Sequence, residues 1–200
     1  MKSEADEVLA FWIGETDGLG RADAAQSKRW FTKDPKFDDE IRRRFGALHR
    51  AVAAGEREAW LDRPRGRLAY VIVLDQFSRN MYRDTAEMFA YDRRARDVAV
   101  EGIDAGMDRD LGVAERIFLY MPLMHSESIA DQDRCVELFA AWHDEAPAEA
   151  REPIAESLKF AHMHRDIVAR FGRFPHRNAA LGRASTEEEL EFLKQPGSSF

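Results

Sequence analysis

One cysteine in 200 residues leaves no partner for an internal disulfide, so a reduced, cytoplasmic setting is the expectation. Cys135 lies in "QDRCVELFAAW", a pattern that predicts core packing; a nucleophile would need a base and an exposed, electropositive site. Long apolar runs are missing too, and none approaches the roughly 20 residues of a membrane span. The opening "MKSEADEVLAFWIGETDG" sets acids beside a short apolar run, without the basic region and cleavage site of a secretory signal. Basic excess is absent: the net charge is −7, which argues against nucleic-acid binding.

Several catalytic signatures are also lacking. There is no glycine-rich phosphate loop, no serine in a GxSxG context and no HExxH. The "HRD" at 164–166 matches the start of a kinase catalytic loop. The asparagine required five residues after Asp166 is replaced by Phe171, so that reading fails. "HMH" places His162 and His164 two apart, on largely different helix faces. In "HSE" (125–127), Ser126 reads as a helix N-cap with Glu127 in the first turn. No metal and no cofactor is expected.

What is present is helix punctuation. Asp34 and Pro35 read as N-cap and first helical residue, Phe37, Ile41, Phe45, Leu48 and Val52 as a buried stripe, and Gly55 as a stop. Asp84 with Glu87, and Ser185 with Glu188, have capping-box spacing, and Gly106 closes the first of these helices. "EADEVLAFWIG" and "AERIFLYMPLM" read as shorter helices, and Asp23–Trp30 and Ser126–His143 as two more. A long helix runs from Pro153 to Gly172. "LAYVIVLDQF" (68–77) is apolar all round and could be a strand. No second such segment exists to pair with it, so Pro64 to about Ser78 is expected as a central buried helix. The sum is an all-α single domain over residues 1–200, with about eight or nine helices in antiparallel pairs. "GETDGLGRAD" (14–23) and "HDEAPAEARE" (143–152) read as plain connectors. Trp12, Trp30 and Phe31 read as core.

Polar residues interrupt two apolar stripes. Ile154, Leu158, Ala161, His164, Val168 and Phe171 share one helix face, which turns His164 toward the core. Leu68, Ile72, Asp75 and Arg79 share another, and Asp75 and Arg79 have the i, i+4 spacing of an ion pair. Residues 159–183 carry Lys159, Arg165, Arg170, Arg173, Arg177 and Arg183 against Asp166 alone, on an otherwise acidic chain. Buried charges need partners. Either these groups pair in a closed network with Glu127 and Asp131, or they line a cleft with donors left over for a carboxylate or phosphate.

"LDQFSRNMYR" (74–83), "FLYMPLMHSE" (118–127), "HRDIVARFGRFPHRNAALGR" (164–183) and "PGSSF" (196–200) resemble, in this order, the bacterial family called domain of unknown function 924. The resemblance implies an all-helical, tetratricopeptide-like fold and no particular activity. The family's signature residues fall on Asp75, Gln76, Arg79, Asn80, His125, Ser126, Glu127, His164, Arg165, Asp166, Arg173, His176, Arg177 and Asn178; Ser78 stands where proline is common.

Phase and resemblance together give one expectation. A pocket would bind a small anion through Arg79, Asn80, Arg173, His176 and Arg177. His125, His164 or His176 would move protons, and Asp75 or Glu127 would orient an imidazole. The rival expectation is a protein-interaction scaffold on stacked helix pairs, with a purely structural polar network.

Overall fold

The computed structural model describes residues 3–199; Met1, Lys2 and Phe200, the last letter of "PGSSF", lie outside them. Among the described residues the chain is all-α, with nine helices and no strand; a single isolated bridge joins Thr16 and Ala22. The helices are α1 (Glu4–Trp12), α2 (Ala24–Trp30), α3 (Pro35–Ala53), α4 (Pro64–Ile72, continued by Val73–Phe77 and Ser78–Met81) and α5 (Asp92–Asp104). They continue as α6 (Val113–Met124), α7 (Ile129–Glu145), α8 (Arg151–Phe171) and α9 (Glu187–Phe192). Among the described residues no helix is long and apolar enough to cross a membrane.

Local chemistry sets most boundaries. Ser3 and Asp6 cap α1 reciprocally, and Asp34 accepts from the Lys36 amide while Pro35 occupies the first position of α3. Gly106 and Gly172 take left-handed φ values of 73° and 68° just after α5 and α8, a conformation that glycine adopts without a Cβ clash. The α3 stripe packs inward as its spacing predicts, with Leu48 half-buried.

The apolar run 68–74 has no face to spare for water, and α4 therefore sits at the centre, against α1, α3, α5 and α6. Trp12, Phe37, Phe45, Phe77 and Phe118 interlock around its far end in stacked, tilted and edge-on pairs. Cys135 is fully buried, and burial pushes its thiol up to about 12.

Five sequence expectations need correction. Asp84 does not cap a helix: its φ is 62°, Ala86–Phe89 forms a separate 3₁₀ turn, and α5 starts only at Asp92. The C-terminal capping box is Thr186 with Glu189, one residue later than Ser185 with Glu188. Ser185 instead accepts a bond from Asn178. Ser126 precedes α7 and donates to Asp131, while Ser128 holds the N-cap position. Phe31 is 73% exposed, because it falls past the end of α2. The 14–23 segment is more than a connector, since its Leu19 and Gly20 carbonyls accept from Val113 and Ala114, the first two amides of α6.

Candidate functional site

The second half of α4 winds as a π-helix over Val73–Phe77, a device that inserts a residue into the helical ladder and recurs at functional sites. It carries Asp75, which is fully buried directly after the apolar run. The Asp75 carboxylate accepts from Gln76 Nε2 at 2.6 Å, and its Oδ1 lies 2.9 Å from both Arg79 Nη1 and His125 Nδ1. Burial alone would raise this acid's pKa. The Arg79 charge, then His125 and the Gln76 amide, outweigh burial and hold it well below the usual carboxylate range.

An ionised carboxylate can only accept, so His125 carries a proton on Nδ1. His125 sits at the C-cap of α6, and burial followed by the Arg79 charge lowers its pKa against the pull of Asp75. The ring is therefore neutral at pH 7, with its lone pair on Nε2. Nε2 makes no hydrogen bond among the described residues, and His125 lines a cleft of about 330 Å³.

Arg79 also reaches both oxygens of Asp92, at 3.0 and 3.1 Å. The same carboxylate accepts from Arg177 Nη1 at 3.1 Å, while Arg177 Nη2 donates to the His125 carbonyl at 2.9 Å. The Arg177 guanidinium rests on the rings of Phe89 and Phe174, 4.7 and 4.6 Å from their centroids. Its Nε is buried without a partner among the described residues. Burial and then the Arg79 charge bring Arg177 down to about 10, despite Asp92 and Glu127. Residues 75, 79, 92, 125 and 177 thus close into one network.

The cleft above this network has an apolar side of Phe89, Pro122 and Leu181. Its polar side consists of Asp92, Arg93, Arg96, His125, Ser126, Glu127 and Arg177. Glu127 is occupied: Arg183 donates to both its oxygens at 2.7 and 2.8 Å, and the Phe174 amide donates at 2.8 Å. Burial would raise the Glu127 pKa, but these bonds lower it overall. Arg96 lies 3.2 Å from Asp131, whereas the Arg93 side chain is 89% exposed and 3.9 Å from Asp97.

The structure brings together Asp75, Arg79, His125 and Arg177 and sets Glu127 at the cleft edge. It separates the others. His164 is buried behind His125, with ring centroids 6.3 Å apart, and its Nδ1 lies 2.8 Å from the Phe160 carbonyl. Burial takes its pKa to about 3 and that of His176, which lies against Phe174, to about 4. Neither ring lines the cleft. Arg173 turns away to grip both oxygens of the buried Glu189, at 2.7 and 2.8 Å. Asn80 lies about 100° around the helix from Arg79, and it donates to Asp38, which Arg83 also grips. Much of the basic stretch is paired within the protein, as Arg165 with Asp133 and Arg170 with Glu188 show. Among the described residues no group of three or more His, Cys, Asp or Glu side chains is arranged for a metal ion.

Sequence reasoning missed Phe89, Asp92, Arg93, Arg96 and the role of Arg183. Asp92 was hidden by the supposed helix start at Asp84, which placed it mid-helix. The cue for the true start is Asp92 itself, an acid in the first turn of a helix whose apolar periodicity begins at Ala95.

No curated protein matches this chain. A solved structure described as a protein of unknown function, ATU0120, from Agrobacterium tumefaciens is 38% identical. The similarity covers 95% of this chain and 96% of that one, with a TM-score of 0.80. The profile of the family described as bacterial protein of unknown function (DUF924) matches residues 8–197. The polar network is therefore set in a fold shared along almost the whole chain, and the protein belongs to the DUF924 family.

Proposed function

We propose that the cleft binds a small monoanion, a carboxylate or phosphate group, against Arg177, with Arg93 and Arg96 at its mouth. One observation carries this reading. Among the described residues the buried Arg177 guanidinium makes one carboxylate hydrogen bond, to an Asp92 oxygen that Arg79 also holds, and its Nε has no partner. A guanidinium brought below its ordinary pKa by burial gains stability when an anion arrives beside it. The volume sits near the lower end of the roughly 300–1,000 Å³ common for small-molecule sites. Phe89, Pro122 and Leu181 offer a hydrocarbon part of the ligand a dry side.

In this reading Asp75 orients the neutral His125 imidazole, and the anion is left to the guanidinium groups. His164, His176, Arg173 and Asn80 support the surroundings. The α7–α8 hairpin, joined across residues 146–150, is the unit we equate with a tetratricopeptide-like pair, and a cytoplasmic setting suits the reduced Cys135. The scaffold reading gains no comparable support, because the exposed Phe31, Ile129, Phe160 and Leu190 fall on the end of α2 and on three different helices, α7, α8 and α9.

Calorimetric titration with butyrate and with inorganic phosphate tests the proposal. Wild type should bind at least one of them, and Arg177→Lys should weaken that binding about tenfold or more, because a lysine keeps the charge but loses the fork. Arg93→Ala, at an exposed position, should weaken it by a smaller factor. Equal affinity in wild type and Arg177→Lys, or no binding at all, overturns the reading.

A further inference from the structure

We propose that Asp75 and His125 form a general-base dyad that activates water to hydrolyse a small carboxylic ester bearing an anionic group; this rests on the anion-binding reading above. Three observations lead there. First, Asp75 accepts from His125 Nδ1 at 2.9 Å, which leaves Nε2 as the ring's proton acceptor, on a residue that lines the cleft. Second, among the described residues no serine or cysteine side chain hydrogen-bonds the His125 ring. Ser126 donates its hydroxyl to Asp131 at 2.6 Å, Cys135 is sealed in the core, and Ser78 lies against His49, buried elsewhere. Water is the nucleophile that remains. Third, the Arg177 guanidinium donates to the His125 main-chain carbonyl, so a cation stands beside the base where a carbonyl oxygen would gain charge.

The step balances without a further reactant. Water gives a proton to His125 Nε2 as its oxygen bonds to the ester carbonyl carbon, and the carbonyl electron pair moves onto oxygen beside Arg177. Collapse re-forms the carbonyl and breaks the bond to the alcohol oxygen, which takes the proton from Nε2. The products are a carboxylic acid and an alcohol. The carboxylate seat at Arg177 takes the reacting carbonyl and then the product carboxylate, the ester's second, anionic group lies toward Arg93 and Arg96 at the mouth, and its hydrocarbon part lies on Phe89, Pro122 and Leu181. Asp75 is a positioning residue, since it acts through the imidazole.

The test uses the full chain with two chromogenic esters, the anionic mono-4-nitrophenyl ester of glutaric acid and neutral 4-nitrophenyl butyrate. Wild type should hydrolyse the glutarate ester with a kcat/KM at least tenfold above the butyrate ester. His125→Gln should lower kcat about a hundredfold or more, while butyrate binding by calorimetry changes less than fivefold. Asp75→Asn should lower kcat and move the acidic limb of the pH profile, which a purely structural role would not do. If His125→Gln does not fold, carbethoxylation of wild type supplies the same information: activity should vanish, return with hydroxylamine, and be protected by butyrate. Butyrate binding without ester turnover, or turnover undiminished by loss of His125, overturns the dyad and leaves the anion reading intact. Absence of binding to both butyrate and phosphate removes the reading itself.

Discussion

Asp92, Pro122 and His125 stand on helices packed into the main apolar core, whereas Arg177 and Leu181 stand on a segment with a core of its own. Among the described residues that second core holds Ile167, Val168 and Phe174, backed by Phe171 and Phe192. The cleft lies between them. Its first wall is held by hydrocarbon around α4. Its second is tied across by Arg177 to Asp92, Arg183 to Glu127 and the Phe174 amide to Glu127. The difference shows how the chain keeps a polar site in register. Burial fixes Asp75 and His125, while directional, charge-assisted bonds bring Arg177 over them.

Acid should blur this contrast most. The folded pKa values of His49, His164 and His176 lie at about 4, 3 and 4, below the ordinary value near 6.5. Below pH 6.5 the unfolded chain therefore binds more protons than the folded one, and stability present above 6.5 is lost as pH falls. Each imidazole contributes roughly 1.4 kcal/mol per pH unit across its window. The carboxylates with lowered values, Asp75 and Glu127, give up their share only at still lower pH. Urea midpoints should fall steeply from pH 7 to 5; a flat profile over that range contradicts the buried neutral histidines.

Phe77→Ala strikes the hydrocarbon wall. It should cost about 3–5 kcal/mol in urea unfolding, since Phe77 is fully buried among Phe11, Trp12 and Phe45. Glu127→Ala strikes the clasp. About 2 kcal/mol is expected, and hydrogen exchange should quicken at residues 173–193 while amides 68–77 stay protected. Equal loosening of both regions would remove the distinction. Breaking the exposed Lys33–Asp84 pair, with side chains 66% and 84% exposed, should change stability by no more than about 0.5 kcal/mol.

The fold was legible because its cues are local. Asp34–Pro35, Gly106, Gly172 and the stripe from Ile154 to Phe171 each state a boundary or a face within a few residues. Asp75, Arg79, His125 and Arg177 could be singled out because charges beside apolar runs need partners. Which partner each would choose was not legible. Arg173 and Arg177 look alike in sequence, but Gly172 turns the chain and α9 delivers Glu189 to the first, while α5 delivers Asp92 to the second. Arg183 lies 56 positions from Glu127, and no periodicity spans that distance.

The most direct measurement is nitrogen NMR of the histidine rings at pH 7 during a butyrate titration. A neutral His125, protonated at Nδ1, should show a bare Nε2 resonance that moves as butyrate binds, while the exposed His162 is unchanged. A His125 that is doubly protonated, or whose Nε2 ignores the anion at saturation, contradicts that expectation.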